Sequence, residues 1–175
     1  QQEIDDLKNA LLLQDKTKKT ETLLKLSQLF LDINPDSAIY YSNKAIKLAE
    51  SNSLITLLGK AYRIYGQSNY FKGNSEIGET YLIKSIELFD SIENTEEKTW
   101  SILELGAMNQ YYGKKNIAIN NYKQALKIAI NNKYSKLELT SYSYLGDVYG
   151  FSGDYEESLK YYENALKIAT NNNDR

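Results

Sequence analysis

Small residues return every forty positions in this chain, and that period limits what it can fold into. Gly66, Gly106 and Gly146 occupy one column, and Gly73, Gly113 and Gly153 a second. Ala45, Ser85, Ala125 and Ala165 make a third, Ala38, Gly78, Ala118 and Ser158 a fourth, and Leu48, Leu88, Ile128 and Ile168 an apolar fifth. A unit repeated in this way buries its apolar faces against its own copies, so the expected architecture is a stacked array.

Each copy reads as two helices. In the last one Tyr142, Leu145, Gly146 and Tyr149 recur at i, i+3, i+4 and i+7, a single helical face. Gly153 stands where a left-handed residue can end that helix. Asp154 can cap the next helix, with Glu157 at capping-box spacing. Tyr155, Leu159, Tyr162, Leu166 and Ala169 then form the stripe expected to be buried, and the asparagines at 171–173 are expected to close the helix. The first copy departs from the pattern, with Leu26 and Ile33 in the glycine columns. It has instead Asn34 as a cap and Pro35, the only proline, at the first helical position. Ahead of it Ile4, Leu7 and Leu11 mark one more helical face.

The reactive inventory is small. The chain has no histidine and no cysteine among its 175 residues, which removes thiolate metal sites, disulfides and every Ser-His or Cys-His arrangement. No catalytic, metal-binding or cofactor-binding residue is assigned, and a non-enzymatic protein is expected. The carboxylate pairs Asp5–Asp6, Glu96–Glu97 and Glu156–Glu157 read as caps or solvated faces, because adjacent helical residues point about 100° apart. With 21 basic and 23 acidic residues, the chain has no excess of positive charge for nucleic acid. No run approaches the roughly 20 apolar residues of a membrane span. The start "QQEIDD", without methionine, reads as an exported chain whose signal was removed, hence a periplasmic location, or as an excised cytoplasmic fragment.

Tyr142, Leu145, Gly146 and Tyr149, followed by Ser158, Tyr162 and Ala165, resemble the tetratricopeptide repeat. The third copy matches at Leu105, Gly106, Ala118, Tyr122 and Ala125, with Asn109 in place of the tyrosine, and the second at Tyr62, Gly66, Gly78 and Ser85. The closing proline is missing, and the period is longer than the usual 34 or so residues. The resemblance implies an all-α, right-handed superhelix of about four two-helix repeats, near 19–58, 59–98, 99–138 and 139–175, after an N-terminal helix near 2–14. Gln14 to Ser51 also resembles the opening of bacterial repeat-containing sensor proteins, particularly of Bacteroidetes. This implies the interaction region of a histidine kinase or transcriptional regulator; the alternative is a free-standing scaffold.

In such repeats the first helix of each unit lines the concave, ligand-binding surface. If Gly146 and its neighbours face the partner helix, the opposite face is Ser143, Tyr144, Asp147 and Phe151. The forty-residue offsets give Leu103, Glu104, Ala107 and Tyr111, then Arg63, Ile64, Gln67 and Phe71, bordered by Trp100, Lys60, Tyr70 and Gln110. The candidate ligand-binding residues are therefore Lys60, Arg63, Gln67, Phe71, Trp100, Glu104, Tyr111, Tyr144, Asp147 and Phe151. The lysine–asparagine–arginine carboxylate clamp of some family members is not reproduced by Arg63, Gln67, Ala107, Thr140 and Tyr144. The expected partner is a protein or peptide, and self-association through the last helix is a further possibility. The repeat columns assign Tyr122, Tyr149 and Tyr162 to packing.

Overall fold

The structure, a computed structural model, describes residues 2–11 and 14–173, with side chains through 170. Among these residues every regular element is a helix: α1 Gln2–Ala10, α2 Lys16–Phe30, α3 Pro35–Ser51, α4 Ile55–Phe71, α5 Ser75–Ser91, α6 Thr95–Tyr111, α7 Lys115–Asn132, α8 Ser135–Gly150 and α9 Tyr155–Asn173. The helix expected near 2–14 is helical over α1, and residues 12 and 13 lie outside those described. The chain divides into two units, residues 1–93 and 94–175. In the first, α2 pairs with α3 and α4 with α5, and α2 also touches α4. In the second, α6 pairs with α7 and α8 with α9, and α6 touches α8. Each unit therefore stacks two helical hairpins with their first helices adjacent.

The turns follow from local chemistry. Asn34 accepts a hydrogen bond from the Ser37 amide at 3.0 Å, and Pro35 opens α3. Within the last three hairpins the glycine column supplies the left-handed residue: φ is +92° at Gly73, +74° at Gly113 and +82° at Gly153. Between hairpins the same role falls to Ser53, Glu93 and Lys133, all at positive φ, which glycine spacing alone does not reveal. Turns of this kind close with one long backbone bond, such as Asn74 N–H to Asn69 O at 2.8 Å and Asp154 N–H to Tyr149 O at 3.0 Å. The asparagines expected to end α9 are its last described residues, and the helix runs through Asn173.

Packing explains the small columns. A Cβ on Gly66 would meet the Gly78 carbonyl oxygen and Leu82, and one on Gly106 or Gly146 would meet the ring of Tyr122 or Tyr162. Gly146 thus makes room for Tyr162, not for Ala165 one turn further on. In the first hairpin the sizes are exchanged: the glycine position is Leu26, and the position of Leu82, Tyr122 and Tyr162 is Ser42, both fully buried. The pair keeps its combined volume although each column changes. Serines fasten the hairpins, with Ser27 Oγ donating to Ala38 O at 2.7 Å, Ser85 Oγ to Gly59 O at 2.9 Å and Ser158 Oγ to Gly146 O at 2.8 Å.

Asn109 on α6 lacks the provision that its counterpart on α4 has. Asn69 Oδ1 accepts from Asn74 Nδ2 at 3.2 Å, whereas the buried Oδ1 of Asn109 has no partner. The residue forty positions after Asn74 is Lys114. Lys114→Asn would supply the missing donor and should stabilise the second unit by about 1 kcal/mol. Urea denaturation checks this; an unchanged or lower midpoint would show that the donor does not reach Asn109.

The stripe on α9 is the main departure from expectation. Tyr155, Leu159, Tyr162 and Leu166 are 75%, 59%, 41% and 64% exposed. In α7, Ile119, Tyr122 and Ala129 occupy the columns of Leu159, Tyr162 and Ala169 and are buried. There α7 lies against both α6 and α8, while α9 contacts α8 alone among the described residues. The sequence column is the same; the covering helix is what differs.

Candidate functional site

The first helices of the second unit, α6 and α8, enclose the most developed part of the expected recognition face. Ala107 is small, and the space beside it is walled by Gln110, Tyr111, Tyr122, Tyr144, Asp147 and Phe151 in a cleft of about 420 Å³. Tyr111, Tyr144, Asp147 and Phe151 were all expected from helical geometry, and the structure brings them together. Tyr111 is 71% and Phe151 85% exposed, so two large rings stand in solvent at the rim. A smaller cleft on the other side of Phe151 is shared by Asp147, Gly150, Tyr155, Ser158 and Tyr162. Asp147 and Phe151 therefore border both.

Hydrogen bonds fix the walls. The Tyr122 hydroxyl donates to Gln110 Oε1 at 2.8 Å, and the Tyr162 hydroxyl donates to Asp147 Oδ1 at 2.5 Å. The Tyr122 and Tyr144 rings lie 5.2 Å apart, tilted by 52°. Burial raises the pKa of the Tyr144 hydroxyl, and the carboxylates of Glu104 and Asp147 raise it further. Burial likewise pushes Tyr122 well up, aided by Tyr144, Asp147 and Glu104. The hydrogen bond to Asp147 is the chief cause that takes Tyr162 to about 12, with burial second. All three hydroxyls are thus neutral at ordinary pH, and the formal charge around the cleft comes from the carboxylates.

The other expected site residues are distributed differently. Glu104 lies one turn before Ala107 on α6 and acts on the tyrosines through its charge. Trp100 has the Lys136 ammonium 5.6 Å from its ring centroid, so it serves a contact inside the second unit. Lys60, Arg63, Gln67 and Phe71 lie along α4 in the first unit, with Phe71 exposed. Leu103, Ile64 and Tyr70, which geometry also put on or beside the face, are buried and belong to the packing. Tyr122 was missed as a wall of the cleft. Its column is a packing column, and its ring, though buried, forms part of the cleft wall beside Tyr144.

The tetratricopeptide repeat family model matches residues 140–172, which hold most of α8 and nearly all of α9. No curated protein matches the chain by sequence. Among solved structures, a Rap protein complexed with competence and sporulation factor is similar over 95% of this chain and 48% of its own, at 18% identity and a TM-score of 0.85. A signal transduction ATPase with numerous domains from Pyrococcus horikoshii, which has a tetratricopeptide repeat sensor, is 25% identical with a TM-score of 0.74. That match covers 93% of this chain and 25% of the other. A putative kinesin light chain from Podospora anserina with nearly identical repeats is 12% identical over 98% of this chain and 87% of its own, with a TM-score of 0.71. This chain spans about half the length of the Rap protein and a quarter of the ATPase. The fold and the matched repeat define an all-α helical-repeat architecture of the kind that supports protein interaction. Residues 140–172 carry a tetratricopeptide repeat, and the fold of the chain is similar to those of solved tetratricopeptide-repeat proteins.

Proposed function

We propose that the chain is the recognition region of a bacterial signal-transduction protein, a histidine kinase or a transcriptional regulator, and that it binds a protein or peptide on the α6–α8 face. The observation that carries the site is the pair of exposed rings, Tyr111 and Phe151, beside a cleft with a small floor. Exposed aromatics next to a preformed concavity are the usual anchors of recognition. Support for a signalling role comes from two similar structures: a Rap protein complexed with competence and sporulation factor, and a signal transduction ATPase with a tetratricopeptide repeat sensor. A free-standing scaffold with a protein partner in the same cleft is the second reading.

Replacing Phe151 with a photoactivatable phenylalanine analogue in living cells tests the site. The partner should crosslink there and not at the exposed Lys127 on α7. A component of a signal relay among the products supports the first reading, and an assembly component supports the scaffold. Equal crosslinking at the two positions would remove the cleft from consideration.

A further inference from the structure

We infer that the partner segment held between α6 and α8 presents a basic side chain, arginine or lysine, to Asp147; this rests on the α6–α8 face being the binding site. The clefts on either side of Phe151 are lined by aromatic rings, small residues, the Gln110 amide and one carboxylate, and neither lining contains a lysine or an arginine. Asp147 belongs to both linings, so a chain draped over Phe151 meets it from either side. Its Oδ1 is fixed by the Tyr162 hydroxyl, which orients the carboxylate without neutralising it. Glu104 adds a second negative charge, close enough to Tyr122 and Tyr144 to act on both.

Two cations of this unit, one on α7 and one on α8, are engaged elsewhere. Lys115 pairs with Asp154 at 2.9 Å and sits 5.6 Å from the Tyr149 ring centroid, and Lys136 lies over Trp100. An acidic segment would find no counter-charge in either cleft. A purely apolar one would strip water from Asp147 without replacing it, which is costly. A basic side chain meets the carboxylate and stacks its stem and charge against aromatic faces, gaining from both. Tyr111 and Phe151, exposed on the rim, are placed to flank the peptide on each side of that residue.

The full chain would be panned against a random dodecapeptide library, with retention that depends on Phe151 used to select binders at this site. The selected peptides should be enriched in arginine or lysine and depleted in aspartate and glutamate. Asp147→Asn should weaken a selected peptide about 10-fold while preserving the bond from Tyr162, and Glu104→Gln should weaken it less, because its charge acts from further away. Changing the basic residue of the peptide to glutamine should remove the sensitivity to Asp147→Asn, and salt should weaken the parent peptide more than the glutamine one. Binders that depend on Phe151 but are neutral or acidic, and indifferent to Asp147→Asn, would overturn the basic-partner inference and leave the site intact. A library yielding no Phe151-dependent binder would overturn the site and this inference together.

Discussion

Gly59→Thr and Phe89→Ala should each cost several kcal/mol alone and much less together. Phe89 is fully buried, and a Cβ at Gly59 would lie 2.5 Å from its ring, with two further ring atoms within 2.9 Å. Forty residues on, the same two columns hold Thr99 and Ala129, both fully buried. The second unit thus fills with a threonine on the first helix the space that the first unit fills with a phenylalanine on the second helix. Phe89→Ala empties that space, at about 3–5 kcal/mol for a buried aromatic. Gly59→Thr overfills it, at about 2–3 kcal/mol, because the ring is enclosed and cannot swing away. In the double variant the threonine occupies the vacated volume. Its hydroxyl can bond back one turn, as Thr99 Oγ1 does to Thr95 O at 2.7 Å. Urea denaturation of the four proteins should give a coupling of at least about 2 kcal/mol in the favourable direction. Additive losses would mean that the two positions do not share one space.

This exchange of sizes shows what the sequence discloses and what it conceals. A period of forty and two helices per period are legible because small residues and left-handed turn residues tolerate few substitutes: Gly73, Gly113 and Gly153 all take positive φ. Volumes are less legible, since packing conserves the sum across a pair. Leu26 breaks the glycine column, and the small Ser42 in the column of Leu82 offsets its size. Burial is less legible again where it depends on a neighbour. Leu159 and Ile119 share a column, but only Ile119 has a helix over it.

The candidate site divides in the same way. Tyr111, Tyr144, Asp147 and Phe151 could be placed because they follow from a rotation about one helix axis. Leu103 and Ile64 could not, because α6 and α4 each pack against a partner and a neighbouring first helix, which widens the buried arc beyond one stripe. Tyr122 escaped for the opposite reason. It reaches the cleft from the second helix of its hairpin, across the gap that Gly106 leaves open.

The glycine column itself should respond unevenly to alanine. Helix propensity alone favours alanine by roughly 1 kcal/mol at each position. At Gly66 the new Cβ would lie 2.9 Å from the Gly78 carbonyl oxygen and 3.1 Å from the Leu82 amide nitrogen, and backbone cannot yield without parting the two helices. Overpacking at the upper end of about 1–3 kcal/mol then outweighs propensity, for a net loss of about 2 kcal/mol. At Gly106 the obstacle is the ring of Tyr122, a side chain but one that is buried and tied to Gln110, so a smaller loss is expected. At Gly146 the obstacle is Tyr162, 41% exposed on the uncovered side of α9 and free to rotate outward at the cost of its bond to Asp147. That bond contributes about 1 kcal/mol, which propensity offsets, so Gly146→Ala should be close to neutral. Thermal and urea denaturation of the three variants should therefore rank them Gly66, Gly106, Gly146 from most to least destabilised. Equal losses at all three would show that the helix-to-helix distance alone governs the column. The expected gradient would show that what stands opposite each glycine, backbone or buried ring or free ring, decides how much room it must leave.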